Sequence, residues 1–166
     1  MATRAILGQQ ITVAGARTLA GRLVQRFGTP LHTSHATLTH LFPTPKQIAS
    51  ASPVEIGKLG ITSKRAQTLI TLARALCDNS LSLEPGARIE ETLAQLQRIP
   101  GIGEWTAQYI AMRALSWPDA FPHTDLGIRK VLRENNPKRI LQIAEQWRPW
   151  RAYAALHLWN SLETLS

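Results

Sequence analysis

The chain has 166 residues, 44% of them hydrophobic, with 19 Lys and Arg against 11 Asp and Glu and a formal net charge of +8. That length suits one domain or two small lobes on a shared core, and the apolar content excludes wholesale disorder. No uncharged apolar run reaches the roughly 18 residues that span a bilayer, and the start "MATRAILGQQ" lacks the features of a signal peptide, so a cytoplasmic protein without membrane contact is expected. The basic excess suits a polyanionic partner, nucleic acid before a ribosomal or acidic-membrane one. A lone cysteine, Cys77, leaves no internal disulfide or thiolate cluster and reads as a buried structural thiol.

In chain order, Ile6, Ile11 (or Gln10), Ala14 and Leu19 with Leu23 follow one helical face ending near Gly28. Ser34 is placed to cap a short helix "HATLTHLF". Two marked helix starts follow: "TPKQIA" with Thr44 as cap, and "SPVEIGKL" with Ser52 as cap, Pro53 first and Glu55 completing a capping box. From Ser63, Ala66, Leu69, Ile70, Ala73 and Leu76 repeat at amphipathic spacing. "LSLEPGAR" is a loop, "IEETLAQLQ" a helix, "GEWTAQYIAMRAL" another, and "SWPDAFPHT" a proline-marked connector. "DLGIRKVLRE", "PKRILQIAEQW" and "PWRAYAALHLWNSLET" complete the chain. The expectation is about ten helices, no confident strand, and an all-α class. The connector suggests two lobes, residues 1–117 and 118–166.

Between the two middle helices lies Pro100-Gly101-Ile102-Gly103. Two alternate glycines let bare amides approach another surface, and the helix start beside them adds unpaired N–H groups and partial positive charge. Ile102 is expected to tuck inward. A tight αα turn is the plain alternative. With Thr106 following and a basic chain around it, contact with a phosphate is the favoured reading.

These residues resemble the helix-hairpin-helix of the HhH-GPD superfamily of DNA glycosylases, and within it the DNA-3-methyladenine glycosylase II family of alkylation-repair enzymes. "RAILGQQITVAGA", "LGITSKRAQTLITLA", "LQRIPGIGEWTAQYIAMRAL", "FPHTDLGIRK" and "WRPWRAYAALHLW" resemble that family in its order, over nearly the whole chain. The resemblance implies two helical lobes flanking a cleft, with the hairpin at about residues 88–116. The implied partner is duplex DNA bearing alkylated bases, bound by a monomer associated with the nucleoid. Full-length relatives carry a further N-terminal domain, so a short form or a fragment with an incomplete second lobe is expected.

The resemblance assigns the catalytic carboxylate to Asp125, whereas Asp119 in the connector does not match. From the bare sequence Asp125 also reads as a helix cap. One carboxylate suffices for a base that already carries positive charge, because that base leaves without protonation and only the oxocarbenium-like sugar needs stabilising. The flipped base requires aromatic walls, and by resemblance these are Trp105, Trp159 and nearby Tyr109. Trp117, Trp147 and Trp150 read as core.

Some superfamily members carry a nucleophilic lysine where this chain has Trp105, so hydrolysis without a lyase step is implied. No cofactor is required, and one cysteine cannot hold the iron–sulfur cluster of other members. Gln10 matches the side chain that fills the gap left by the flipped base. The main-chain carbonyls of Gln97, Ile99 and Ile102 match a monovalent cation site. Lys64, Arg65 and Arg98 read as solvated charges in reach of phosphates. The competing reading is a non-catalytic hairpin module that only grips duplex backbone.

Overall fold

The computed structural model describes residues 1–164. Its helices are α1 (Ala2–Leu7), α2 (Val13–Phe27), α3 (Pro45–Ala49), α4 (Pro53–Gly57), α5 (Ser63–Cys77), α6 (Ile89–Arg98), α7 (Glu104–Ala114), α8 (Leu126–Leu132), α9 (Pro137–Ala144) and α10 (Arg151–Thr164). A 3-10 turn at Glu145–Trp147 and an antiparallel pair of two-residue strands, β1 (Thr29–Pro30) and β2 (His40–Leu41), are the remaining regular elements described. The fold is all-α.

The helices gather into two compact units, Met1–Ser82 with Arg98–Gly101, and Leu83–Gln97 with the chain from Ile102 onward. In the first unit α5 is the central helix, packed against α1, α3 and α4. It buries Ala66, Leu69, Ile70 and Ala73, the face its spacing predicts. Thr62 caps it by accepting from Arg65 N–H. The expected capping box forms at Ser52 with Glu55, and Thr44, expected as a simple cap, forms one as well with Gln47. Bonds from the Ser52 amide and then its hydroxyl hold the Glu55 carboxyl below its usual range. The box therefore tightens above the ordinary glutamate pKa and loosens as acid protonates Glu55.

Four expectations change in this unit. The first helix is two helices, because the backbone turns at Gln10 (φ 53°) and Thr12 then caps α2 afresh through Gly15 N–H. Ser34 starts no helix. Leu31 N–H extends the β1–β2 pairing to Thr39 O (2.8 Å), and the Thr33 hydroxyl accepts from His35 N–H, which commits the backbone groups a helix would use. The absence of strands gives way to that short ladder. Cys77 is exposed rather than buried, since it falls in the last turn of α5 beyond the buried stripe.

The second unit has its own core. Ala111 and Met112 of α7 pack with Ala120 and Phe121 of the connector, Ile128 of α8, Ile140 of α9 and Ala155 of α10. This cluster explains why the compact units part near Ser82 and not at Trp117: α7 and the connector share one core with everything that follows. Trp117 and Trp147 pack against the cluster as expected. Trp150 does not; it is 57% exposed and meets Tyr153 edge to face.

Candidate active site

Three elements of the second unit converge on one carboxylate. Asp125 is the N-cap of α8, and its Oδ1 accepts from Ile128 N–H at 3.0 Å. The Trp159 indole Nε1–H of α10 donates to the same oxygen at 2.9 Å. The Trp105 indole Nε1–H, from the first turn of α7, donates to Oδ2 at 2.7 Å. A carboxylate has about four acceptor sites. Three are filled here, so the remaining one lies on Oδ2.

The aromatic rings form a continuous set. Tyr109 stacks on Trp105 with centroids 5.2 Å apart and planes 13° from parallel, and lies 6.1 Å from Trp159. These are separations of rings in direct contact, which leaves no space for a base between them. Tyr109, expected as a pocket wall, therefore backs Trp105, whose other face is the one a planar ligand would use. All four residues are half-buried, as a site open to a large substrate requires.

Sequence reading missed Gly127. A Cβ there would lie 2.7 Å from Leu162 Cδ1, 3.0 Å from Asp125 Oδ1 and 3.3 Å from Trp159 Cδ1, so a side chain at this position would crowd the carboxylate and the indole that bonds it. The signal was available, since a glycine directly inside a helix start, in reach of a tryptophan, is costly without a packing reason. The connector is tied to α7 by Gln108, whose side-chain oxygen accepts from Phe121 N–H at 3.1 Å, and by buried His123, whose Nε2 is 3.6 Å from a Glu104 carboxylate oxygen.

The hairpin residues separate into buried and presented groups. Ile102 is buried, as its place between glycines predicts, and Pro100 and Gly103 are exposed. Thr106, expected at the DNA, is only 4% exposed, so its side chain is buried. Gly103 is the N-cap of α7, and no side chain caps the helix there.

Within the first unit, the turn at Gly101 (φ 94°) is clamped. Its carbonyl accepts from Gln9 Nε2 at 2.9 Å, while the Pro100 carbonyl accepts from the Thr68 hydroxyl at 2.8 Å. The Arg65 guanidinium donates to the Gln9 carbonyl, so this expected surface charge instead holds a loop. Next to Gln9, Gln10 is exposed in the left-handed region, presented on a tight and braced turn.

The fold and this arrangement place the protein in a known class. Residues 3–148 match the family described as "HhH-GPD superfamily base excision DNA repair protein", and the chain belongs to that family. It is 45% identical over 166 residues to the "Probable bifunctional transcriptional activator/DNA repair enzyme AlkA" of Mycobacterium tuberculosis, covering 98% of this chain and 33% of that protein. To the "DNA-3-methyladenine glycosylase 2" of Escherichia coli it is 40% identical, covering 94% of this chain and 55% of that protein. Among solved structures, the 3-methyladenine DNA-glycosylase from Archaeoglobus fulgidus superposes with a TM-score of 0.83 at 25% identity, over 99% of this chain and 58% of that one. The chain thus spans from a third to somewhat over half of the relatives it matches. No described helix is long and apolar enough to cross a membrane.

Proposed function

We propose that the chain carries the catalytic unit of a DNA glycosylase that removes alkylated bases, such as 3-methyladenine and 7-methylguanine, from duplex DNA by hydrolysis, acting as a monomer. The observation that carries this reading is the Asp125 carboxylate held by two tryptophan indoles at a half-buried site. An N-alkylated purine is a cation and a good leaving group, so the chain needs no general acid. What it needs is negative charge beside the sugar as positive charge develops there, and a fixed carboxylate provides this without reorganising. The open acceptor site on Oδ2 is suited to orient the attacking water. The free face of Trp105 and the Trp159 ring attract a cationic base by about 0.5–2 kcal/mol per contact, which discriminates charge more than shape.

The uncapped start of α7 at Gly103 suits contact with a phosphate of the DNA backbone, and the exposure of Gln10 on its tight turn agrees with a side chain that fills the gap left by a flipped base.

The test is release of 3-methyladenine and 7-methylguanine from methylated duplex DNA by the chain. Release is expected without strand cleavage, and borohydride is expected to trap no covalent adduct because tryptophan stands where a lysine nucleophile would. A trapped adduct sinks the hydrolytic reading, and duplex binding with no release leaves only the DNA-gripping module. Trp159→Phe keeps a ring but deletes one donor to Oδ1. Because a hydrogen bond to a charged group contributes about 1.5–3 kcal/mol, release is expected to slow about tenfold to a hundredfold, with duplex affinity little changed.

A further inference from the structure

Asp119, which the catalytic assignment leaves unused, is the most tightly bound acid described in the second unit. It is 6% exposed and receives Arg151 in a two-pronged bond, Nε to Oδ1 at 2.6 Å and a terminal nitrogen to Oδ2 at 2.7 Å. Arg148 adds a third bond to Oδ2 at 2.6 Å, and Glu145 holds Arg148 Nε at 2.8 Å. Arg151 is itself 7% exposed. Beside the fork, Ala152 N–H donates to Pro118 O at 2.8 Å. Asp119 belongs to the connector that ends at Asp125, and Arg151 opens α10, the helix that carries Trp159.

We propose that the Asp119–Arg151 fork is a positioning latch, fixing the connector against α10 and thereby the distance between the Asp125 carboxylate and the Trp159 indole. A buried ion pair is a poor way to gain stability, because desolvation offsets most of its attraction and apolar replacements often serve as well. What a planar two-pronged pair supplies is direction and register. The connector needs both. It is short, it carries prolines, and it must deliver Asp125 to bonds of 2.7 and 2.9 Å from two different helices. Gln108 and Glu104 secure its other side to α7, so the latch closes the third edge of a frame whose members each carry one part of the site.

This inference rests on the proposed role of Asp125 and Trp159, and its test has a readout independent of that role. The variants are Asp119→Asn and the milder Arg151→Lys, which keeps the charge but loses the fork. With the indole nitrogens labelled, the Trp105 and Trp159 Nε1–H resonances report their bonds to Asp125 directly. Both variants are expected to move the Trp159 resonance upfield, as lengthening of an indole N–H bond to a carboxylate does, and to lower the rate of base release about tenfold to a hundredfold, the scale of a misplacement near 1 Å. KM and duplex affinity are expected to stay within about twofold of wild type, since no latch residue meets DNA in this reading. Should Asp119→Asn not fold, Arg151→Lys decides. An unmoved Trp159 resonance in folded Arg151→Lys, with rate lost only in proportion to unfolded protein, overturns the latch. A wild-type chain that releases no base removes the proposed activity, while the resonance shift still decides the latch.

Discussion

Asp125→Asn is expected to slow base release by about a hundredfold to a thousandfold, the range for losing one preorganised electrostatic group, while binding of methylated duplex stays near wild type. The expectation is sharper than a loss of charge. The Asn side chain has one oxygen to place. At the Oδ1 position that oxygen keeps the bonds from Ile128 N–H and the Trp159 indole, which leaves its amide facing the Trp105 indole, donor against donor. Asn remains a good helix cap, so α8 survives and the disturbance concentrates at Trp105. Single-turnover release measured beside duplex binding separates the two effects. A variant that binds and cleaves like wild type would remove Asp125 from the chemistry.

The two hairpin glycines are expected to fail in opposite ways. Gly101→Ala places a Cβ 2.2 Å from Thr68 Oγ1 in a backbone at φ 94°, so it displaces the hydroxyl that holds Pro100 and strains the turn. A cost of roughly 1–3 kcal/mol is expected in urea unfolding, with DNA affinity falling as a consequence. Gly103→Ala meets nothing within 4 Å and has an ordinary extended backbone at φ −86°. Its stability is expected to stay within about 1 kcal/mol of wild type, because lower entropy of the unfolded chain offsets the poorer fit of alanine at an N-cap. Its duplex affinity is expected to fall several-fold, because a methyl group would stand between the α7 amides and a phosphate. Unchanged affinity of a stable Gly103→Ala chain would remove the phosphate from the start of α7.

The sequence carried most of the helical architecture because its signals are local. Thr44-Pro45 and Ser52-Pro53 start helices where their spacing implies, Ser52 with Glu55 forms the expected box, and the α5 stripe buries the residues its period selects. The misreadings have two causes. Periodicity ran unbroken through Gln10, and Ser34 looked like a cap, because neither a left-handed turn nor a two-residue ladder leaves an apolar pattern. Cys77 and Trp150 were placed inside by residue type, which gives no information about where a buried stripe ends.

For the site, the sequence by itself determined the class through its resemblance to the glycosylase family: the glycine turn, Trp105 with Tyr109 one helical turn on, and an aspartate capping the next helix match that family's pattern in order along the chain. Only the tertiary structure decided how these residues work together. Trp105, Asp125 and Trp159 are joined by hydrogen bonds between positions far apart in sequence, Tyr109 became the support of Trp105, and Thr106 turned inward. Asp119 gained its partner Arg151 and Gln9 its hold on Gly101. Local capping and periodicity depend on a few neighbouring residues and are written in order along the chain. Which indole reaches which carboxylate depends on how whole helices pack, and packing is settled only when the core of the second unit closes.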